Sequence, residues 1–189
     1  MRQFASGGFR IWNLGKEAKL IYSGFGLFSL CALFVSMLFY EDLVGSHVAG
    51  VHNYYAGQIN VAVDHAGATG PKLDLPDEAP PKLVVAVSYR KLLEVTHFHL
   101  FTVPVFLLIT AHLFMLTGLS STAKSIWIVA AFASSLLHLA APWLIRYVST
   151  SLSFLYPISG AAMAASLSWM TIYPMVVMWT HPPSRQVAD

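Results

Sequence analysis

Charge is what this sequence has least of. Lys, Arg, Asp and Glu make up 11% of its 189 residues, against about 25% in a soluble globular domain. That depletion, with 56% hydrophobic residues, argues against a soluble domain and for a membrane class. The formal net charge is +2 and no basic block is present, so the chain carries no footprint for nucleic acid. Cys31 is the one cysteine, which excludes an intrachain disulfide and any cysteine-built zinc or iron–sulfur site. Within its apolar run it reads as a small packing residue. No catalytic serine or cysteine arrangement and no phosphate-binding glycine loop is found, and the chain is not expected to be an enzyme on its own.

What the sequence does have is four long stretches free of Asp, Glu, Lys and Arg: Leu20–Tyr40, Val95–Ala123, Ser125–Ile145 and Tyr147–Ser184. About 20 apolar residues suffice for a helix to cross the hydrocarbon core. Inside lipid every backbone polar group must be satisfied within the segment, so each stretch is expected to be helical. Trimmed to their apolar cores, the helices are predicted at 19–40, 92–117, 123–147 and 151–179. The fold class is therefore an all-α membrane protein, a four-transmembrane-helix bundle, with residues 1–189 as a single membrane domain. The first helix is longer than a signal-peptide core, with no small-residue cleavage site after it, and reads as an uncleaved anchor.

Basic residues set the expected orientation. Arg2, Arg10, Lys16 and Lys19 precede helix one, Lys124 lies between helices two and three, and Arg185 follows helix four. Both termini are thus expected in the cytoplasm of a bacterial inner membrane, with residues 41–91 as an extended periplasmic loop. Arg146 falls on the outer side, against the rule. Between Glu41 and Glu94 there are seven acidic and four basic residues, a formal −3, which suits a basic periplasmic partner. Gly45–Gly70 is small, aromatic and histidine-bearing, fit to lie on the membrane surface or partly re-enter. Gly70–Lys82 carries Pro71, Pro76, Pro80 and Pro81 and reads as an extended connector.

Eight histidines against nine carboxylates is a high ratio for so apolar a chain. Helix two carries Glu94, His97 and His99 near its outer end and His112 near its inner end, and helix three carries His138. Intramembrane ionisable residues are functional candidates. At about 1.5 Å per residue, His97 and His99 lie roughly 8 to 10 Å inward and His138 roughly 13 Å inward, in one outer layer. His47 and His52, following helix one, are placed to approach it from above. His112 lies about 30 Å along helix two, on the side of His181. His97 and His99 differ by about 200° in phase and cannot both ligate one metal from a straight helix. The economical outer site is His97 or His99 opposite His138, with haem b as the candidate cofactor and neutral imidazoles as axial ligands. Ala131, Ser134, Ser135 and Ala141 flank His138 and are expected to leave space for a macrocycle. Glu94 and His97, three apart, allow a second chemistry, a copper, iron or zinc site built from His97, His138 and Glu94, with Glu41 or Asp42 as further acids. The plain alternative is that these histidines hydrogen-bond across helices or face water at the headgroups. Gly160, Ala164 and Ser168 form a small-residue face for helix packing, and Pro104, Pro142, Pro157 and Pro174 are expected to kink helices or loosen turns.

The run Leu92-Leu93-Glu94-Val95-Thr96-His97-Phe98-His99-Leu100-Phe101, with Ala111-His112-Leu113-Phe114 and Trp143-Leu144-Ile145-Arg146-Tyr147, resembles a group of short, poorly characterised four-helix membrane proteins of proteobacteria. A looser similarity is to b-type cytochrome subunits, whose bundles hold haem between histidines. The chain departs from the respiratory cytochrome b pattern of two histidines on each of two helices, since helix three has only His138. What the resemblance implies is a bacterial inner membrane location; the histidine layer, read as a haem site, gives the expectation of a small membrane subunit of a bacterial electron-transfer complex, in contact with other membrane subunits, the lipid bilayer and a periplasmic redox protein. The alternatives are a cofactor-free structural or assembly subunit and a metal-dependent membrane enzyme.

Overall fold

The computed structural model describes residues 9–45, 47–59 and 83–182. Four helices long and apolar enough to cross a membrane organise them. Helix α1 spans Lys16–Val44, the short α2 spans Val48–Ala56, and α3, α4 and α5 span Tyr89–Met115, Ser121–Tyr147 and Leu155–Thr180. A two-residue antiparallel pairing joins β1 (Gln58–Ile59) to β2 (Leu83–Val84). The predicted connector, Gly70–Lys82, lies wholly outside the described residues, as do Arg2 and Arg185.

The helix ends follow capping chemistry more than hydropathy. Ser88 accepts from the Lys91 amide, which starts α3 three residues earlier than the apolar run at Leu92. Ser120 accepts from the Ala123 amide and starts α4 at Ser121. Helix α1 runs beyond its apolar core into Lys16, Glu17, Glu41 and Asp42, which sit at its ends where headgroups and water solvate them. Residues Thr150–Phe154 form a 3₁₀ turn instead of the predicted first turn of helix four. Pro104, Pro142 and Pro174 lie inside helices, whereas Pro157 sits in the first turn of α5, where its missing N–H costs nothing.

Three layers of buried side chains stack along the bundle. At one end, called here the loop end, Val44, Val51, Tyr55, Leu92, Ala141 and Ile145 pack together. Leu107, Ala111, Phe114, Ala131, Leu167 and Met170 fill the middle. Ile11, Val177 and Met178 close the other end, where Trp12 stacks on His181 at 5.0 Å. Both ends of the described chain therefore meet on one side, as an even number of crossings requires. Helix α1 is the least engaged: 11% of its most apolar window is buried, against 39% for the Thr150–Thr180 segment. Only Gly26, Ser29 and Val44 of α1 are buried. Cys31 is exposed on it, so the packing role expected of that residue is corrected: it faces outward because α1 touches the bundle along one narrow strip.

Candidate functional site

Helix α4 meets α5 along Ala131, Ser134, Ser135, His138, Ala141 and Ile145, spaced three and four apart and so on one face. Small side chains let the two backbones come close. That corrects one expectation. Ala131 packs with Leu167 and Met170 of α5, and Ala141 packs in the loop-end layer against Leu155 and Tyr156. These small residues are used for helix contact, and they leave no macrocycle-sized gap on the α5 side of His138.

His138 is held on several sides by one turn of α5. Its Nδ1 lies 3.1 Å from Ser159 Oγ and 3.3 Å from the Tyr156 carbonyl oxygen. Its ring stacks on the Tyr156 ring with centroids 4.3 Å apart. Gly160 leaves room for the imidazole: a Cβ there would come within 3.1 Å of His138 Cε1. The small residue that the sequence marks for helix packing is thus the seat of the histidine. A carbonyl oxygen only accepts, and the Ser159 hydroxyl already donates to that same carbonyl at 3.1 Å. Both partners therefore take the proton from Nδ1, and the neutral ring keeps its lone pair on Nε2.

Helix α3 is registered against α4 by Trp143 Nε1, which donates to Thr96 Oγ1 at 2.8 Å. His99 lies three residues along from Thr96 on the same face. Its Nδ1 is 2.7 Å from the Val95 carbonyl, so His99 also carries its proton on Nδ1 and leaves Nε2 open. With α3 beginning at Tyr89 and α4 ending at Tyr147, His99 lies about 15 Å and His138 about 14 Å along from the loop end. These two histidines lie at one depth on adjacent helices.

The other predicted site residues go elsewhere. His97 is exposed and meets the edges of Phe98 and Phe101 at 5.9 and 5.1 Å. Glu94 pairs with Lys91 at 3.4 Å, both side chains more than half exposed, rather than with His97. Glu41 and Asp42 are exposed in the last turn of α1. His52 Nδ1 lies 3.3 Å from its neighbour Asn53, and His47 stands at the N-cap position of α2 with no side-chain capping bond. His112 is exposed near the far end of α3, and His181 stacks on Trp12, so the two do not pair. Among the described residues no group of three or more His, Cys, Asp or Glu is gathered where it could hold a metal ion.

Sequence reasoning missed the residues around His138. Tyr156, Ser159 and Gly160 fall within one turn and a half of α5 at the depth of His138, where the helix is polar and bare. Tyr156 also meets Tyr55 edge-on at 5.3 Å and stacks on Tyr40 at 5.8 Å. Burial of Tyr55, on the inner face of α2, pushes its hydroxyl pKa far above the usual tyrosine value, and the neighbouring Tyr156 adds to the rise.

With that geometry in hand, the comparisons place the chain. Residues 45–185 match the model of the Aq_1264_TM family, described as a transmembrane helical domain. The chain belongs to that family. The match takes in α2 to α5, and with them both histidines of the pair. No curated protein and no solved structure matches the chain.

Proposed function

We infer that this transmembrane helical domain is a small subunit of a membrane electron-transfer complex, holding haem b between α3 and α4 with His99 and His138 as the iron ligands. One observation carries the reading: each imidazole has Nδ1 turned onto a carbonyl oxygen, which leaves Nε2 as the free donor. That is the arrangement in which an outer partner fixes the ring and raises its basicity as a ligand. His99 and His138, neutral nitrogens on adjacent helices at one depth, would hold the iron of a haem. The filled α5 side of His138 limits the macrocycle to the side facing α3. Bound there, haem would carry single electrons across the subunit. The chain's own residues supply the orientation: Tyr156, Ser159 and Gly160 fix His138, and Trp143 with Thr96 fixes the spacing of the two helices.

The basic residues Arg10, Lys16, Lys19 and Lys124 support a cytoplasmic location for the terminal side in a bacterial inner membrane. On that orientation the loop end faces a periplasmic redox protein, and the exposed faces of α1 and α3 meet lipid or other membrane subunits. A second reading is a cofactor-free assembly subunit, favoured by the ring stack and hydrogen bonds that already tie His138 to α5. A bare copper, iron or zinc site is less well supported, because His97 and Glu94 point away from His138.

The absorption spectrum of the purified protein, oxidised and then reduced, separates these readings. The haem reading expects a Soret band that shifts on reduction and an α-band that appears. A colourless protein from haem-replete cells would leave the assembly reading in its place.

A further inference from the structure

Arg146 is a basic residue on the outer side, against the charge rule for orientation, and its surroundings give the charge a use. It lies one residue from the end of α4, at the edge of the span, and is half-buried. The last four carbonyls of a helix have no partner within it. In α2 the Asn53 carbonyl accepts from the Gly57 amide and the Tyr54 carbonyl from the Val87 amide. The remaining two, Tyr55 and Ala56, accept from Arg146 Nη1 at 3.4 and 3.3 Å. One nitrogen of Arg146 thus completes the end of α2, and the guanidinium is fixed in place by doing so.

Among the described residues the rest of the group has no partner. Nε and Nη2 meet no acceptor among the described residues, and the ion pair found among them is Lys91 with Glu94. Carbonyl dipoles do not neutralise a full positive charge. The Nε–H and the nearer Nη2–H lie on one edge of the planar group and point the same way, the fork that matches two oxygens of one carboxylate or phosphate. Arg146 is eight residues, about 12 Å, along α4 from His138. Tyr55, whose carbonyl it holds, touches Tyr156, on which His138 stacks.

We propose that Arg146 binds an oxyanion at the loop end of the bundle through Nε and Nη2, with Nη1 anchored on the end of α2. Two sources present that chemistry at this depth. One is the phosphate of an anionic lipid headgroup. The other is a side-chain carboxylate of a haem, which rests on the reading given above.

Native mass spectrometry and haem titration of the whole chain, with Arg146→Gln and Arg146→Lys beside it, test the site. For the lipid source, wild type retains phosphatidylglycerol about tenfold better than Arg146→Gln does, and Arg146→Lys falls between. For the carboxylate source, wild type binds iron protoporphyrin IX about tenfold tighter than its dimethyl ester, and Arg146→Gln binds the two alike. If no haem binds at all, the functional reading fails and the lipid arm alone decides this one. If Arg146→Gln does not fold, Arg146→Lys, which keeps the charge and loses the fork, is read in its place. Equal lipid retention and equal haem preference in wild type and variant overturn the proposal and leave Arg146 as the cap of α2.

Discussion

Helices α3 and α4 have the same length, 27 residues, the same serine cap and a proline inside, yet they treat their histidines in opposite ways. Helix α3 presents His97, His99 and His112 on exposed positions, while α4 turns its single His138 onto α5. The difference comes from the neighbours. Along α4 the residues at three- and four-spacing from His138 are Ala, Ser and Ile, so α5 comes close enough to grip an imidazole. On α3 the residues beside His97 are Phe98 and Phe101, which are themselves exposed. A histidine in a membrane helix is therefore defined by what the next helix lacks at that level, here the side chain of Gly160.

Enlarging Gly160 is the strongest way to break that contrast. Gly160→Val is expected to cost about 2 to 3 kcal/mol, because its side chain would overlap a ring pinned by a stack and two hydrogen-bond partners. Gly24→Ala on α1, where a Cβ meets nothing within 4 Å, is expected to be neutral or to stabilise by up to about 1 kcal/mol. Reversible unfolding in mixed micelles measures both. Equal losses would mean that Gly160 is not specifically a seat.

Removing the histidines themselves sharpens the comparison. His138→Ala is expected to lose about 1 to 2 kcal/mol, for a cross-helix hydrogen bond and a ring contact. His97→Ala is expected within about 0.5 kcal/mol of wild type, as for an exposed substitution. Equal stabilities for the two variants would contradict the clamped geometry of His138.

The join between α3 and α4 should show a smaller effect. Trp143→Phe and Thr96→Val each remove the same hydrogen bond and are expected to cost about 0.6 to 1.7 kcal/mol, with a double variant little worse than either. Additive losses would show that the bond does not set the register.

The least effect at neutral pH is expected at Tyr55. Its folded-state pKa is raised, so the folded chain holds a proton that the unfolded chain releases near pH 10. That stabilisation is fully present below pH 10 and is lost as pH rises above it. Wild type should lose stability above pH 10 faster than Tyr55→Phe; parallel curves would place Tyr55 in contact with water.

Four spans, their approximate bounds and the shared depth of His99 and His138 were legible in charge-free runs and helical rise. Angular phase separated His97 from His99 but did not choose between them, because the choice depends on which face of α3 meets Trp143. The surroundings of His138 were not legible. They come from Tyr156, Ser159 and Gly160, which hydropathy averages into an apolar helix. The packing of Ala131 and Ala141 against α5 was equally hidden, since a small residue marks closeness without saying whether a helix or a cofactor fills it.

The central claim is that His99 and His138 act as a pair and His97 does not. Oxidised-minus-reduced spectra of wild type, His99→Ala, His138→Ala and His97→Ala, recorded side by side on folded protein, test it most directly. The account predicts a b-type α-band in wild type and His97→Ala and its loss in both His99→Ala and His138→Ala. A full α-band in His138→Ala, or its loss in His97→Ala alone, would contradict it.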